Sequence, residues 1–375
     1  MTIDKIKPGE KYFSDKVISN ARKNYQEFEA KATILGSYPI KIYLEPTHKC
    51  NIKCNICTVN RKNFNHDMPL EIFEKVKTQL FPTAAEVNFY LDGEPLLAEN
   101  FSYMASACSE YTFLPKINTN GTHMPDHIID ILAEQGFFVN FSIDAASTEL
   151  FEKIRCGAKF QTVVQNILKL KKKQEVCKNR RAHIRIATTL SLNNIEEAPE
   201  IIGFAHNHGI RDVMFNPYNN PKDSANMLMN DPERVMASIE KAMALADTHK
   251  IRFSAFKKIG NRIAAHQNNW NDFALPVDDY APFYLESFNP YEGDCGYPWT
   301  NTVIAANGNV LSCCRYQHCM GNISKKYFVD IWNNRKYRGM RLQKNYHKCR
   351  GVTCDMHAYS MWNGPTERAF PSENE

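Results

Sequence analysis

The chain has 375 residues, a formal net charge of +5 at pH 7, and a composition that is 43% hydrophobic and 23% charged. That length supports a sizeable core plus an added module, and the composition is that of a globular protein rather than a disordered one. No run of eighteen apolar residues is present, and the densest basic run, Lys171–Lys173, falls short of a nucleic-acid-binding stripe. The opening segment "MTIDKIKPGEKYF" lacks the apolar core of a signal peptide. The expectation is a cytoplasmic protein that engages neither membrane nor nucleic acid.

Residues 1–38 read as a polar, mostly helical lead-in, and from about 39 to 256 strand and helix patterns alternate. "IKIYLEP" reads as a strand and "PLEIFEKVKTQLF" as a helix. "EVNFYLD" and "LPKINTNG" read as strands, and "MPDHIIDILAEQG" as a helix ending at a glycine. "FFVNFSID" is a strand before the helix "FQTVVQNILKLKKKQ". "HIRIATTLS", "DVMFNPY" and "IRFSAF" are strands, separated by the helices "APEIIGFAHNHG" and "PERVMASIEKAMALADTHK". Such alternation implies a parallel sheet with right-handed crossovers, and at least six βα units suggest a full or partial barrel. Residues 257–290 read as a linker, 291–360 as a small C-terminal domain and 361–375 as a tail.

In a barrel of this kind the chemistry sits in loops at the C-terminal ends of the strands. The unusual residues fall there. The loop with Cys50, Cys54 and Cys57 follows the first strand, and Asp92–Pro95 follows the second. Asn118–Gly121, Ser142–Ala145 and Asn216–Asn220 follow later strands.

The chain has twelve cysteines: three at 50–57, six at 295–354, and Cys108, Cys156 and Cys177 apart from both groups. In a reducing compartment clustering points to metal or iron–sulfur ligation rather than disulfides, and isolated cysteines read as small buried hydrophobes. A closed tetrahedral zinc site needs four ligands. Cys50, Cys54 and Cys57 supply three, so a zinc reading requires His48 or a distant residue. The same three thiolates can wrap one face of a cubane, leaving its fourth iron open to a small molecule.

The spacing Cys50-x3-Cys54-x2-Cys57 after the first barrel strand resembles the signature of the radical SAM superfamily, with Ile56 where many members carry an aromatic. The resemblance implies a partial (β/α)6 barrel and a [4Fe–4S] cluster whose open iron chelates S-adenosylmethionine (SAM). It also implies a flavodoxin- or ferredoxin-type electron donor. One electron would cleave SAM to a 5′-deoxyadenosyl radical, which abstracts hydrogen from substrate. Gly93, Glu94 and Pro95 match the family's Gly-Glu-Pro motif, expected to receive the methionyl amino group. Ser142 and Asp144 are candidates for the SAM ribose or carboxylate, with a helix cap as the plain alternative. Thr119, Asn120, Thr189 and Asn216 are further SAM-binding candidates.

"NTVIAANGNVLSC" reads as a β-hairpin around Asn307-Gly308. With "GNI", "IWNN" and a closing cysteine pair, the tail resembles the SPASM/twitch extension of radical SAM enzymes. The resemblance implies one auxiliary [4Fe–4S] cluster on Cys295, Cys313, Cys349 and Cys354; a four-cysteine zinc module is the alternative. Cys314 and Cys319 stay open as ligand, spare thiol or hydrogen donor. For an epimerase, Cys156 and Cys314 are the candidate hydrogen donors.

Three functions follow as expectations. The first is oxidation, epimerisation or deoxygenation of a small polar substrate of sugar or aminocyclitol type. The second is maturation of a ribosomally made peptide. The third is a non-enzymatic iron–sulfur electron carrier, against which the SAM-type loops argue.

Overall fold

The computed structural model describes residues 12–59, 65–177, 179, 182–259, 262–267, 296–314 and 317–342. Its strands are β1 (Lys41–Leu44), β2 (Lys53–Cys54), β3 (Glu86–Phe89), β4 (Leu114–Thr119), β5 (Phe138–Ser142), β6 (Arg155–Cys156) and β7 (His183–Leu190). β8 (Asp212–Pro217), β9 (Arg252–Ile259), β10 (Arg262–Gln267), β11 (Asn301–Ile304), β12 (Asn309–Leu311) and β13 (Cys319–Asn322) follow. Eleven of these form one sheet in the order β10-β9-β8-β7-β5-β4-β3-β1-β11-β12-β13. The run from β1 through β9 is parallel throughout. The ladder ends in β10 on one side and β13 on the other, so the barrel is partial.

Two-residue periodicity sorts the strand side chains. Ile42, Leu44, Val87, Phe89, Ile117, Val139, Phe141, Ile186 and Val213 join the main core, together with Phe73 and Val76 of helix Leu70–Leu80 and Ile201 and Ile202 of helix Glu197–Asn207. The alternate positions, Lys41, Tyr43, Asn88, Lys116, Asn118, Asn140 and Arg185 among them, therefore face the lumen. Apolar atoms outside and polar atoms inside is the inverse of a packed eight-stranded barrel core. It leaves a lumen suited to a polar guest.

The N-terminal helix, Asp15–Glu29, starts at Ser14, whose hydroxyl accepts from the Val17 amide. Phe13 and Val17 pack on Leu114 and Phe138, the first lumen-facing residues of β4 and β5. The lead-in thus plugs the N-terminal mouth and leaves the catalytic end as the entrance.

The C-terminal hairpin is not a separate layer. β11 pairs in parallel with β1, matching Lys41 with Asn301 through Leu44 with Ile304. β12 then pairs with β11 around Gly308, whose φ of +80° is a conformation that glycine adopts without strain. The Trp332 indole N–H donates to the Ser37 carbonyl at 3.0 Å, and Arg341 Nε donates to the Pro298 carbonyl at 2.9 Å. Strand also continues past the expected end of the barrel: β9 reaches Ile259, and β10 occupies part of the stretch read as linker. Lys257 and Lys258 break the apolar alternation there, which hid the strand in the sequence.

Because the hairpin extends the barrel's own sheet, its core residues should support the barrel. Ile304→Ala, at a fully buried seam position, is expected to cost about 2–4 kcal/mol. Far-UV circular dichroism and tryptophan fluorescence should report one shared shift in denaturation midpoint. A barrel transition left in place while a small C-terminal signal moves would contradict this seam.

Candidate active site

The cysteine loop leaves β1 at Leu44 and is held by its neighbours. The Asn55 amide donates to the Ile154 carbonyl at 2.9 Å, and β2 pairs antiparallel with β6, setting Cys54 opposite Arg155 and Lys53 opposite Cys156. From the second loop, the Glu94 amide donates to the Lys49 carbonyl at 2.7 Å. A Cβ at Gly93 would stand 2.1 Å from the Thr47 carbonyl oxygen. Only glycine permits that approach.

Glu94, 3% exposed, organises the next loop. Its carboxylate accepts from the Thr119 hydroxyl at 2.7 Å, the Asn120 amide at 2.6 Å and the Leu96 amide at 3.3 Å. Burial pushes its carboxyl up to about 7, with those donors opposing the rise. Asn120 then reaches the cysteine loop, donating from Nδ2 to Asn51 Oδ1 at 3.0 Å and lying 3.9 Å from Cys50 Sγ. Asn51 answers with a 2.8 Å bond to the Thr122 hydroxyl. Gly93, Glu94, Pro95, Thr119 and Asn120 are therefore brought together with the loop that carries Cys50.

On the other flank Asp144, fully buried, pairs with Arg155 at 2.7 Å and accepts from the Thr189 amide at 2.8 Å. Arg155 Nη1 lies 3.9 Å from Cys54 Sγ. Asp144 thus serves as an ion-pair partner and not as a helix cap. Arg155 joins Asp144 to the cysteine loop. Asn194 went unnoticed in the sequence; its Nδ2 donates to the Asp144 carbonyl at 2.8 Å and the Thr189 carbonyl at 3.0 Å. Ser142 and Asn216 are half-buried at the lumen ends of β5 and β8, with Asn216 in register with Thr189.

The candidate donor thiols separate. Cys156 is exposed and lies on the opposite face of the β2–β6 pair from Cys54 and Arg155; its thiol donates to the Lys153 carbonyl at 3.2 Å. The structure does not bring it to the site. Cys314 is half-buried in an aromatic cluster with Tyr43, Tyr90 and Tyr297, on the lumen side of the hairpin. Cys313 is half-buried after β12, and Cys319 lies on β13; Cys295, Cys349 and Cys354 fall outside the described residues.

Cys50, Cys54 and Cys57 are all half-buried. A tetrahedral zinc ion draws its sulfurs to about 3.8 Å from one another, given Zn–S bonds of about 2.3 Å. Among the described residues, the group of three ligand atoms within 4.8 Å of one another is Glu45, His48 and Asp92, with no cysteine in it. His48 Nδ1 is engaged with Glu45 Oε1 at 2.9 Å. Three thiols on one loop can hold three corners of an iron–sulfur cubane. Burial pushes the Cys54 thiol up to about 11 against the pull of Arg155, so its metallation must displace a proton.

The comparisons agree with this geometry. Residues 44–185 match the radical SAM superfamily, and residues 295–355 match SPASM, an iron–sulfur cluster-binding domain. The chain is a radical SAM superfamily enzyme with a C-terminal SPASM domain. Its cofactors are accordingly a [4Fe–4S] cluster with SAM, and auxiliary iron–sulfur binding in the SPASM domain. It is 25% identical over 332 residues to the tungsten-containing aldehyde ferredoxin oxidoreductase cofactor-modifying protein of Pyrococcus furiosus, covering 81% of this chain and 84% of that one. Among solved structures it is similar to Streptococcus suis SuiB bound to S-adenosylmethionine, with TM-score 0.63 and 18% identity over 91% of this chain and 76% of that one. It is also similar to anSMEcpe with bound AdoMet and Cp18Cys peptide, with TM-score 0.60 and 17% identity over 86% and 88% of the two chains. Among the described residues no helix is long and apolar enough to cross a membrane.

A carboxyl raised by burial favours the protonated folded state, so the Glu94 contribution to stability falls as pH rises from about 4.5 towards 7. Glu94→Gln removes that slope. In the iron-free protein the variant should gain on wild type between pH 5 and pH 7.5, by on the order of 2 kcal/mol. Parallel pH curves in thermal denaturation would show that the carboxyl is not raised.

Proposed function

We propose that the chain cleaves SAM reductively at the cluster held by Cys50, Cys54 and Cys57, and directs the reaction at a small polar substrate in the barrel lumen. The bound cluster and SAM would supply a 5′-deoxyadenosyl radical. The chain's own part is to hold and orient. Gly93 offers close backbone approach for the methionyl amino group, with Glu94 and Thr119 beneath it. Ser142, Asp144, Thr189 and Asn216 line the far side, where Arg155 and Asn194 fix Asp144. The outcome is hydrogen abstraction leading to oxidation, epimerisation or deoxygenation.

The observation that carries the small-substrate reading is the lumen itself. Tyr43, Asn88, Asn118 and Asn140 lie on its wall, and its far mouth is plugged by Phe13 and Val17. A sugar or aminocyclitol can pair with such amides, while a peptide would need an extended groove. The relative of similar length is named for modifying a cofactor, which also favours a small molecule. Peptide maturation is the alternative. The likeness to anSMEcpe, at 17% identity, concerns fold and not substrate. We assign one auxiliary cluster to Cys295, Cys313, Cys349 and Cys354, and electron supply to a flavodoxin- or ferredoxin-type donor.

After anaerobic reconstitution, about eight irons per chain are expected, falling to about four in Cys50→Ala/Cys54→Ala/Cys57→Ala. Dithionite should yield 5′-deoxyadenosine from SAM with wild type and none with the triple variant. Undiminished 5′-deoxyadenosine from the variant would overturn the proposal. About four irons with bound zinc in wild type would remove the auxiliary cluster.

A further inference from the structure

Below the expected SAM-binding rim, cations and buried carboxylates share the lumen wall. Strand alternation directs Lys41, Lys116, Arg185 and Arg252 inward, against the buried carboxylates Glu86 and Asp212. Lys41 and Lys116 both hold Glu86, at 2.6 and 2.8 Å, and Arg185 holds Asp212 at 2.8 Å. Burial lowers the pKa of His183, which keeps that ring neutral against Asp212. The rim acids have donors of their own. Glu45 has His48 and the Ala306 amide, Asp92 has Gln317, and Asp144 has Arg155 and the Thr189 amide.

Two of the cations share one aromatic neighbour. Lys116 Nζ lies 4.9 Å and Arg185 Cζ 4.6 Å from the centre of the same Phe138 ring. Asn140, 6% exposed, is the register partner of Arg185, and its Nδ2 donates to Asn118 at 2.6 Å. Asn140 Oδ1 and Arg185 Nε are buried without a hydrogen-bond partner. One acceptor and one charged donor on register-paired residues are thus buried without a partner, which is costly unless a ligand completes them. Burial, with the like charges of Lys41 and Arg185, brings Lys116 down to about 8 despite Glu86. An anion beside it would relieve that strain.

We propose that the substrate bears an oxyanion, either carboxylate or phosphate, received in the lumen by Lys116 and Arg185, with an adjacent hydroxyl or amine donating to Asn140. This names the substrate class of the site described above and rests on that reading. The oxyanion anchors one end of the molecule, leaving the other towards the rim where hydrogen is abstracted.

The test uses the reconstituted, SAM-loaded enzyme. Inorganic phosphate and malonate are titrated separately, with tetramethylammonium as the cationic counterpart, and binding is read by isothermal titration calorimetry. Saturable one-to-one binding of at least one anion, with none of the cation, is expected. Stronger phosphate binding assigns the phosphate source, and stronger malonate binding the carboxylate. Lys116→Met and Asn140→Leu should each weaken the preferred anion at least five-fold, while Lys173→Met on an outer helix leaves it unchanged. Wild type that binds neither anion, or binds them undiminished in both lumen variants, overturns the proposal. The wild-type comparison of anion with cation stands even if a variant fails to fold. Dithionite-driven SAM cleavage is measured in the same preparation: cleavage without anion binding sinks only the oxyanion anchor, whereas no cleavage sinks the radical SAM reading itself.

Discussion

The interaction on which the site depends is the contact between the Gly93 backbone and the cysteine loop. Three thiols are one ligand short of a closed tetrahedral metal site, and the loop draws its shape from neighbouring segments. The second βα loop presses on it so closely that a Cβ at residue 93 would sit 2.1 Å from the Thr47 carbonyl oxygen. The Glu94 amide ties to Lys49 from the same side, and the Asn55 amide ties to Ile154 from the other. Asn120 and Arg155 bring polar groups to within 3.9 Å of Cys50 and Cys54 respectively. Three segments distant in sequence thereby fix one loop. Gly93, Glu94 and Asn120, which help to shape the cluster loop, are also expected to bind SAM, so cluster and SAM would share one support.

That support needs a rigid sheet, and the C-terminal hairpin contributes to it. β11 continues the sheet at β1, the strand that launches the cysteine loop. Glu45, at the end of β1, accepts from the Ala306 amide of the hairpin at 2.9 Å and engages His48 of the cysteine loop. Tyr43, Tyr90 and Tyr297 meet beside Cys314 at the same junction, with the Tyr43 and Tyr297 rings 6.5 Å apart. The SPASM region is joined to the catalytic end by a continuous ladder and an aromatic wall.

Much of this was legible in the sequence, for physical reasons. Alternating periods of 2 and 3.6 mark the barrel strands and helices, and residues that follow a parallel strand must gather at one end. That logic placed Gly93, Glu94, Thr119, Asn120, Asp144 and Thr189 near the cysteine loop. Pairings across the sheet were less accessible. A buried four-residue run such as Asn301–Ile304 fits many neighbours, and nothing local names β1 as its partner. Cys156 follows the fourth barrel strand as a lumen residue would, but the two-residue β6 turns it outward. Asn140 and Arg185 read as ordinary strand positions. Their importance emerges only when sheet curvature closes a lumen and leaves their polar atoms without partners.

The most direct test of this support is amide hydrogen exchange of the cysteine loop in iron-free protein. If neighbouring loops hold it, the Asn55 amide and the Glu94 amide should already be protected before iron is added, and cluster assembly should change them little. Exchange at unstructured-peptide rates in the iron-free protein, with protection only after reconstitution, would mean that the cluster folds the loop and would contradict the account.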